Sequence, residues 1–81
     1  MPQPGPRRRL SAQARRDQLI DATLAEAAGG DIALVAVQDI AARAGVSEGL
    51  LYHYFPTKQA IVAAAVTRAA EALLTDLQSA A

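Results

Sequence analysis

Five residues in one short stretch, Ser47, Glu48, Gly49, Tyr52 and His53, combine a hydroxyl, a carboxylate, a bare backbone position and two rings with polar tips. These groups suit recognition better than reaction. A hydroxyl bonds phosphate or a base edge, a carboxylate accepts from the cytosine amino group, and phenol and imidazole carry polar tips on apolar rings. Catalysis has little to work with, because His53 is the single His, there is no Cys, and the acid on its own stretch, Glu48, is five residues away. A Cys/His zinc cluster and a Cys/His dyad are excluded, so neither an enzyme nor a metal or other cofactor is expected.

Cations flank this stretch. The chain has 81 residues and balances 8 Lys plus Arg against 8 Asp plus Glu, but residues 1–16 hold five Arg and no acid. The remaining 65 carry three basic and eight acidic groups. A basic arm on a mildly acidic body suggests a polyanionic partner for Arg7, Arg8 and Arg9, the alternative being a solvated terminus. With Pro2, Pro4, Gly5 and Pro6, residues 1–12 are expected to form a flexible arm that does not pack. Arg7 to Arg9 resemble the start of an export signal, but Ser11, Gln13, Arg15, Arg16 and Asp17 stand where its apolar segment should be. The apolar runs Ala33 to Val37 and Ala60 to Val66 fall far short of the roughly 20 residues of a membrane span. A soluble protein with no membrane partner and a cytoplasmic location is the expectation, which the lack of Cys fits.

The elements that must position these groups are helical. Ala supplies 20 of the 81 residues, whereas aromatic residues number three and Val plus Ile nine, a balance that predicts an all-α fold. The expected architecture is a small helical bundle of three short helices and a long fourth, with about 65 residues to form the core. A first helix spans about Ser11 to Ala28, with Ile20, Leu24, Ala27 and Ala28 on one face, and stops at Gly29-Gly30. Ile32 to Val37 alternates as a strand does, but a single strand leaves its backbone groups unpaired and is rejected. Val37, Ile40, Ala41 and Ala44 predict a short second helix ending at Gly45. Ser47 caps a third that runs to Tyr54, with Val46 and Leu51 at the spacing of a hydrophobic staple. After the Phe55-Pro56 break, Thr57 caps the fourth, whose stripe Ile61, Val62, Ala65, Val66, Ala69, Leu73 and Leu77 runs almost to the end. At about 33 Å it is longer than three short helices can cover, so its far end needs another partner.

The second and third helices meet through about three residues around Gly45, the pattern of a helix-turn-helix. Ala41 is small where the helices cross, and Ile40, Ala44, Val46 and Leu51 supply the contacts. Projecting the third helix places Ser47, Leu50, Leu51, Tyr54 and Phe55 on an inner arc and Glu48, Gly49, Tyr52 and His53 on an outer one. In this motif the second helix enters the major groove, which makes the outer arc the candidate reading surface. Ser47 serves first as a cap, and Glu48 favours the positive helix end while repelling phosphate, an aid to specificity by exclusion. Gly49 costs up to about 1 kcal/mol relative to Ala, a loss explained if phosphate or base approaches the backbone. Lys58 puts a cation at the end of a helix where a cation is unfavourable; with Thr57 and the first N–H groups of the fourth helix it is expected to hold a phosphate.

The run from Val37 to Lys58, VQDIAARAGVSEGLLYHYFPTK, resembles the helix-turn-helix of the TetR family of transcriptional regulators, above all in AGVS and LYHYFPTK. The resemblance covers residues 13–65 and implies that Ser47, Gly49, Tyr52 and His53 lie at DNA-contacting positions, with Lys58 on the phosphate backbone. It further implies a repressor that occupies a pseudo-palindromic operator as a homodimer and is released by a small-molecule effector. Effector binding and dimerisation belong to a larger helical domain, with residues 13–73 as the DNA-binding head and 74–81 leading toward that domain. The present chain alone is expected to be a monomer. Val35 and Ala36 depart from the pattern, since the family usually has phosphate-contacting hydroxyl residues there. Gln38, where a basic residue is common, offers a substitute donor. The competing expectation is a helical protein-interaction module whose long helix docks a partner helix and whose Arg arm only solubilises.

Overall fold

The computed structural model describes residues 10–80, so Arg7, Arg8 and Arg9 lie outside the described residues. α1 (Ala12–Ala27) starts at Ser11, whose Oγ accepts from the Ala14 N–H at 3.0 Å, and ends before Gly29, which takes φ +81°. The apolar run that follows is neither strand nor free loop: Ile32–Leu34 forms a 3-10 turn. Asp31 organises it, its carboxylate accepting from the Ala33 N–H at 2.9 Å and its carbonyl from the Leu34 N–H at 2.9 Å. α2 (Val37–Ala44), α3 (Glu48–Tyr54) and the long α4 (Lys58–Ala80) complete an all-α fold.

Each helix sends one large side chain to a common centre. Leu19 of α1, Ile40 of α2, Leu51 of α3 and Ile61 of α4 are each 0% exposed, and Val35, Phe55 and Ala65 close the core around them. Burying each such aliphatic chain stabilises the fold by about 1.5–3 kcal/mol, so α3, only seven residues long, depends on Leu51 and Phe55 to exist. The buried face of α1 is wider than the sequence stripe. Leu19, Ala22 and Thr23 are buried with Ile20, while Ala28, expected on that face, is exposed at the helix cap. α1 packs against both α2 and α4, and two neighbours bury a broader arc than one. Thr23 enters the core without an unpaired hydroxyl because its Oγ1 donates to the Leu19 carbonyl at 2.8 Å.

Two of the five N-terminal Arg belong to the body and not to an arm. Arg15 and Arg16 lie within α1, where Arg15 donates to the Gln18 side chain at 2.6 Å and Arg16 to the Tyr54 carbonyl at 3.2 Å. Arg68 of α4 bonds Asp17 at 2.7 Å and Asp21 at 3.3 Å. Beyond Arg68 every described side chain of α4 is exposed, and Leu73, Leu74 and Leu77 remain uncovered. Among the described residues no helix is long and apolar enough to cross a membrane.

Candidate nucleic-acid interface

The turn between α2 and α3 is built by Gly45, which takes φ +73°, a conformation that a Cβ would strain. Its N–H donates to the Ala42 carbonyl at 3.1 Å and the next N–H, of Val46, to the Ala41 carbonyl at 3.0 Å. This paired pattern is a Schellman ending, and it turns the chain sharply enough for α3 to cross α2. Ser47 then caps α3, its Oγ accepting from the Leu50 N–H at 3.0 Å. Helical projection groups Ser47 with Leu50 and Leu51, but the cap residue is extended, at φ −77° and ψ 158°, and its side chain is exposed.

The two arcs of α3 separate by burial as the projection predicts. Leu51 and Phe55 are buried and Leu50 and Tyr54 half-buried, whereas Glu48, Gly49, Tyr52 and His53 are all exposed. The His53 ring stands edge-on to Tyr54, with centroids 5.1 Å apart, and this contact orients the imidazole from within the helix. Nothing inside the fold requires glycine at position 49. Its φ is not positive, and a Cβ built there would meet only the Ser47 Oγ, at 3.8 Å.

Around α3 the other candidates divide. Gln38 and Thr57 are exposed, and Thr57 caps α4 by accepting from the Ala60 N–H at 3.1 Å. Lys58 is engaged within the fold: its Nζ donates to the Ala33 carbonyl at 2.8 Å. An ammonium has three donors, so two remain for an anion. Val35 and Ala36 replace hydroxyl residues with different consequences. Val35 is 8% exposed and belongs to the core, while Ala36 is the N-cap of α2 and offers no side-chain bond to it.

Sequence reasoning missed the residues that hold the motif from behind. Gln18 donates to the Ala44 carbonyl at 3.2 Å, at the end of α2. Arg16 donates to the Tyr54 carbonyl, at the end of α3, and its guanidinium lies 4.5 Å from the Phe55 ring centre. The signal available was only a polar run beside Leu19; nothing local names partners 26 and 38 residues away.

Comparison with known proteins agrees with this geometry. Residues 19–65 match the family described as "Bacterial regulatory proteins, tetR family". The HTH-type transcriptional repressor KstR of Rhodococcus jostii is 43% identical over 54 residues, covering 67% of this chain and 26% of that protein. The KstR repressor of Mycobacterium tuberculosis is 41% identical over 54 residues, covering 67% and 24% respectively. The HTH-type transcriptional regulator BetI of Serratia proteamaculans is 46% identical over 50 residues, covering 62% and 25%. The chain thus spans about a quarter of the length of the curated relatives it matches. No solved structure matches it. The chain belongs to the TetR family of bacterial regulatory proteins, and its described residues form the helix-turn-helix of that family.

Proposed function

We propose that this chain is the DNA-reading head of a transcriptional repressor and places α3 in the major groove of duplex DNA. The observation that carries the proposal is the exposed arc of Glu48, Gly49, Tyr52 and His53 on a helix otherwise anchored by Leu51 and Phe55. In this reading Tyr52 and His53 meet base edges, Ser47 and Gly49 lie against the backbone or a base, and Glu48 sharpens discrimination. Gln38, Thr57 and Lys58 bond phosphates on either side, and Arg7, Arg8 and Arg9 add affinity independent of sequence. Repression is supported by the KstR relatives, which are repressors by name.

Helix-turn-helix regulators generally bind pseudo-palindromes as dimers, with reading helices about 34–36 Å apart or a multiple of that distance. We infer that homodimer contacts and a small-molecule effector site belong to the three quarters of the relatives' length that this chain does not span. The 81-residue chain is proposed to be cytoplasmic and to bind half-sites weakly as a monomer. Titration of the 81-residue chain with duplex DNA at several salt concentrations tests the reading. Log affinity is expected to fall steeply and linearly with log salt, with a sequence-dependent remainder. Absence of duplex binding at low salt rejects it and leaves a protein-interaction module.

A further inference from the structure

Three consecutive residues of α1 each fasten a different helix. Arg16 bonds the Tyr54 carbonyl of α3, Asp17 accepts from Arg68 of α4 at 2.7 Å, and Gln18 bonds the Ala44 carbonyl of α2. Successive residues of an α-helix point about 100° apart, so one turn can address three neighbours. Both backbone acceptors are helix C-terminal carbonyls, which lack a partner within their own helix.

We propose that Arg16 is a positioning residue for the reading helix: it fixes the roll of α3, and hence the presentation of Tyr52 and His53, without touching DNA. The proposal rests on the DNA-binding reading above. Leu51 and Phe55 set how deeply α3 sits, but apolar burial is non-directional and the two anchors lie one turn apart on a single face. Roll about the line joining them needs a directional contact. Arg16 supplies it twice, through the 3.2 Å bond to the last residue of α3 and through the face of Phe55. Its charge also lies at the negative end of the α3 dipole. Gln18 does the same for α2, its amide oriented by the bond its oxygen accepts from Arg15.

The test compares the full chain with Arg16→Met, which keeps the apolar stem, and Arg16→Lys, which keeps charge and one donor but not the planar fork. The probes are duplexes selected by the wild-type chain from a randomised library, set against unselected duplex, each at several salt concentrations. For Arg16→Met, affinity for selected duplex should fall about tenfold, the worth of one charge-assisted hydrogen bond. Affinity for unselected duplex and the salt slope should hold, and Arg16→Lys should recover part of the loss. Amide exchange without DNA gives an independent reading: the Phe55 N–H, which donates to the Leu51 carbonyl at 2.9 Å, should exchange faster in Arg16→Met while amides around Ile61 keep their protection. A salt slope lower by about one, with equal loss on both duplexes, would make Arg16 a phosphate contact and overturn the proposal. Unchanged discrimination with unchanged exchange overturns it as well. Should Arg16→Met fail to fold, Arg16→Gln, which removes the charge and the guanidinium, carries both readings, and wild-type discrimination with wild-type Phe55 exchange there refutes the role. If the wild-type chain itself binds no duplex, the DNA reading fails; altered Phe55 exchange would then still establish that Arg16 fixes α3.

Discussion

Lys58 and Ala33 are joined by a 2.8 Å hydrogen bond from the ammonium to the backbone carbonyl, tying the first residue of α4 to the turn that leads into α2. A cation at a helix N-terminus opposes the helix dipole, and this internal bond offsets part of that cost while using one of the three ammonium donors. Lys58→Ala should therefore weaken binding to selected and unselected duplexes by one common factor and lower the salt slope by about one. The same change removes the bond and the opposition to the dipole together, so folding stability should move by less than about 1 kcal/mol, read by thermal melting. A change mainly in base preference would remove Lys58 from the phosphate contacts.

Tyr52 and His53 should behave in the opposite way. Tyr52→Ala and His53→Ala should each lower affinity for selected duplex by about 1–3 kcal/mol and shrink its ratio to unselected duplex. Both side chains are exposed, so melting should shift little. Competition binding with the two duplex classes measures the ratio directly.

Gly49 separates stability from function. Its backbone is compatible with Ala and the space around it is open, so Gly49→Ala should raise stability by up to about 1 kcal/mol. If DNA approaches the backbone here, the added methyl should weaken duplex binding in the same protein. A variant that melts higher and binds as well as wild type would show that no such approach occurs.

Ala36 leaves α2 without a side-chain cap. Ala36→Ser places a hydroxyl where it can accept from the Asp39 N–H and should stabilise the fold by about 1 kcal/mol, raising the melting temperature by about 4–8 °C. The same hydroxyl restores the kind of phosphate donor that Ala36 lacks, so affinity for selected and unselected duplexes should rise together. Melting curves and the duplex titration check the two effects separately.

What could be read from the sequence was local. Gly45 ending one helix, Ser47 capping the next and Leu51 facing inward are each decided by residues within one turn, and the helix-turn-helix followed from them. The strand was rightly rejected at Ile32–Leu34, but the 3-10 turn escaped because three residues are too few to show a helical period; the capping carboxylate of Asp31 marks it. Thr23 was overlooked in the core because its hydroxyl is neutralised inside its own helix. Arg16 was counted with an N-terminal charge run, since only the folded chain brings it to the end of α3. Lys58 was legible as a candidate contact, but not its bond to Ala33, which depends on how the 3-10 turn lies against α4.

Amide chemical-shift mapping of the chain during titration with selected duplex shows residue by residue whether the exposed arc of α3 meets DNA. Saturable shifts are expected at Ser47, Glu48, Gly49, Tyr52 and His53, with a second group at Gln38, Thr57 and Lys58. Shifts gathered instead on the exposed stretch of α4 around Leu73, Leu74 and Leu77, with α3 unmoved, would contradict the DNA-binding reading.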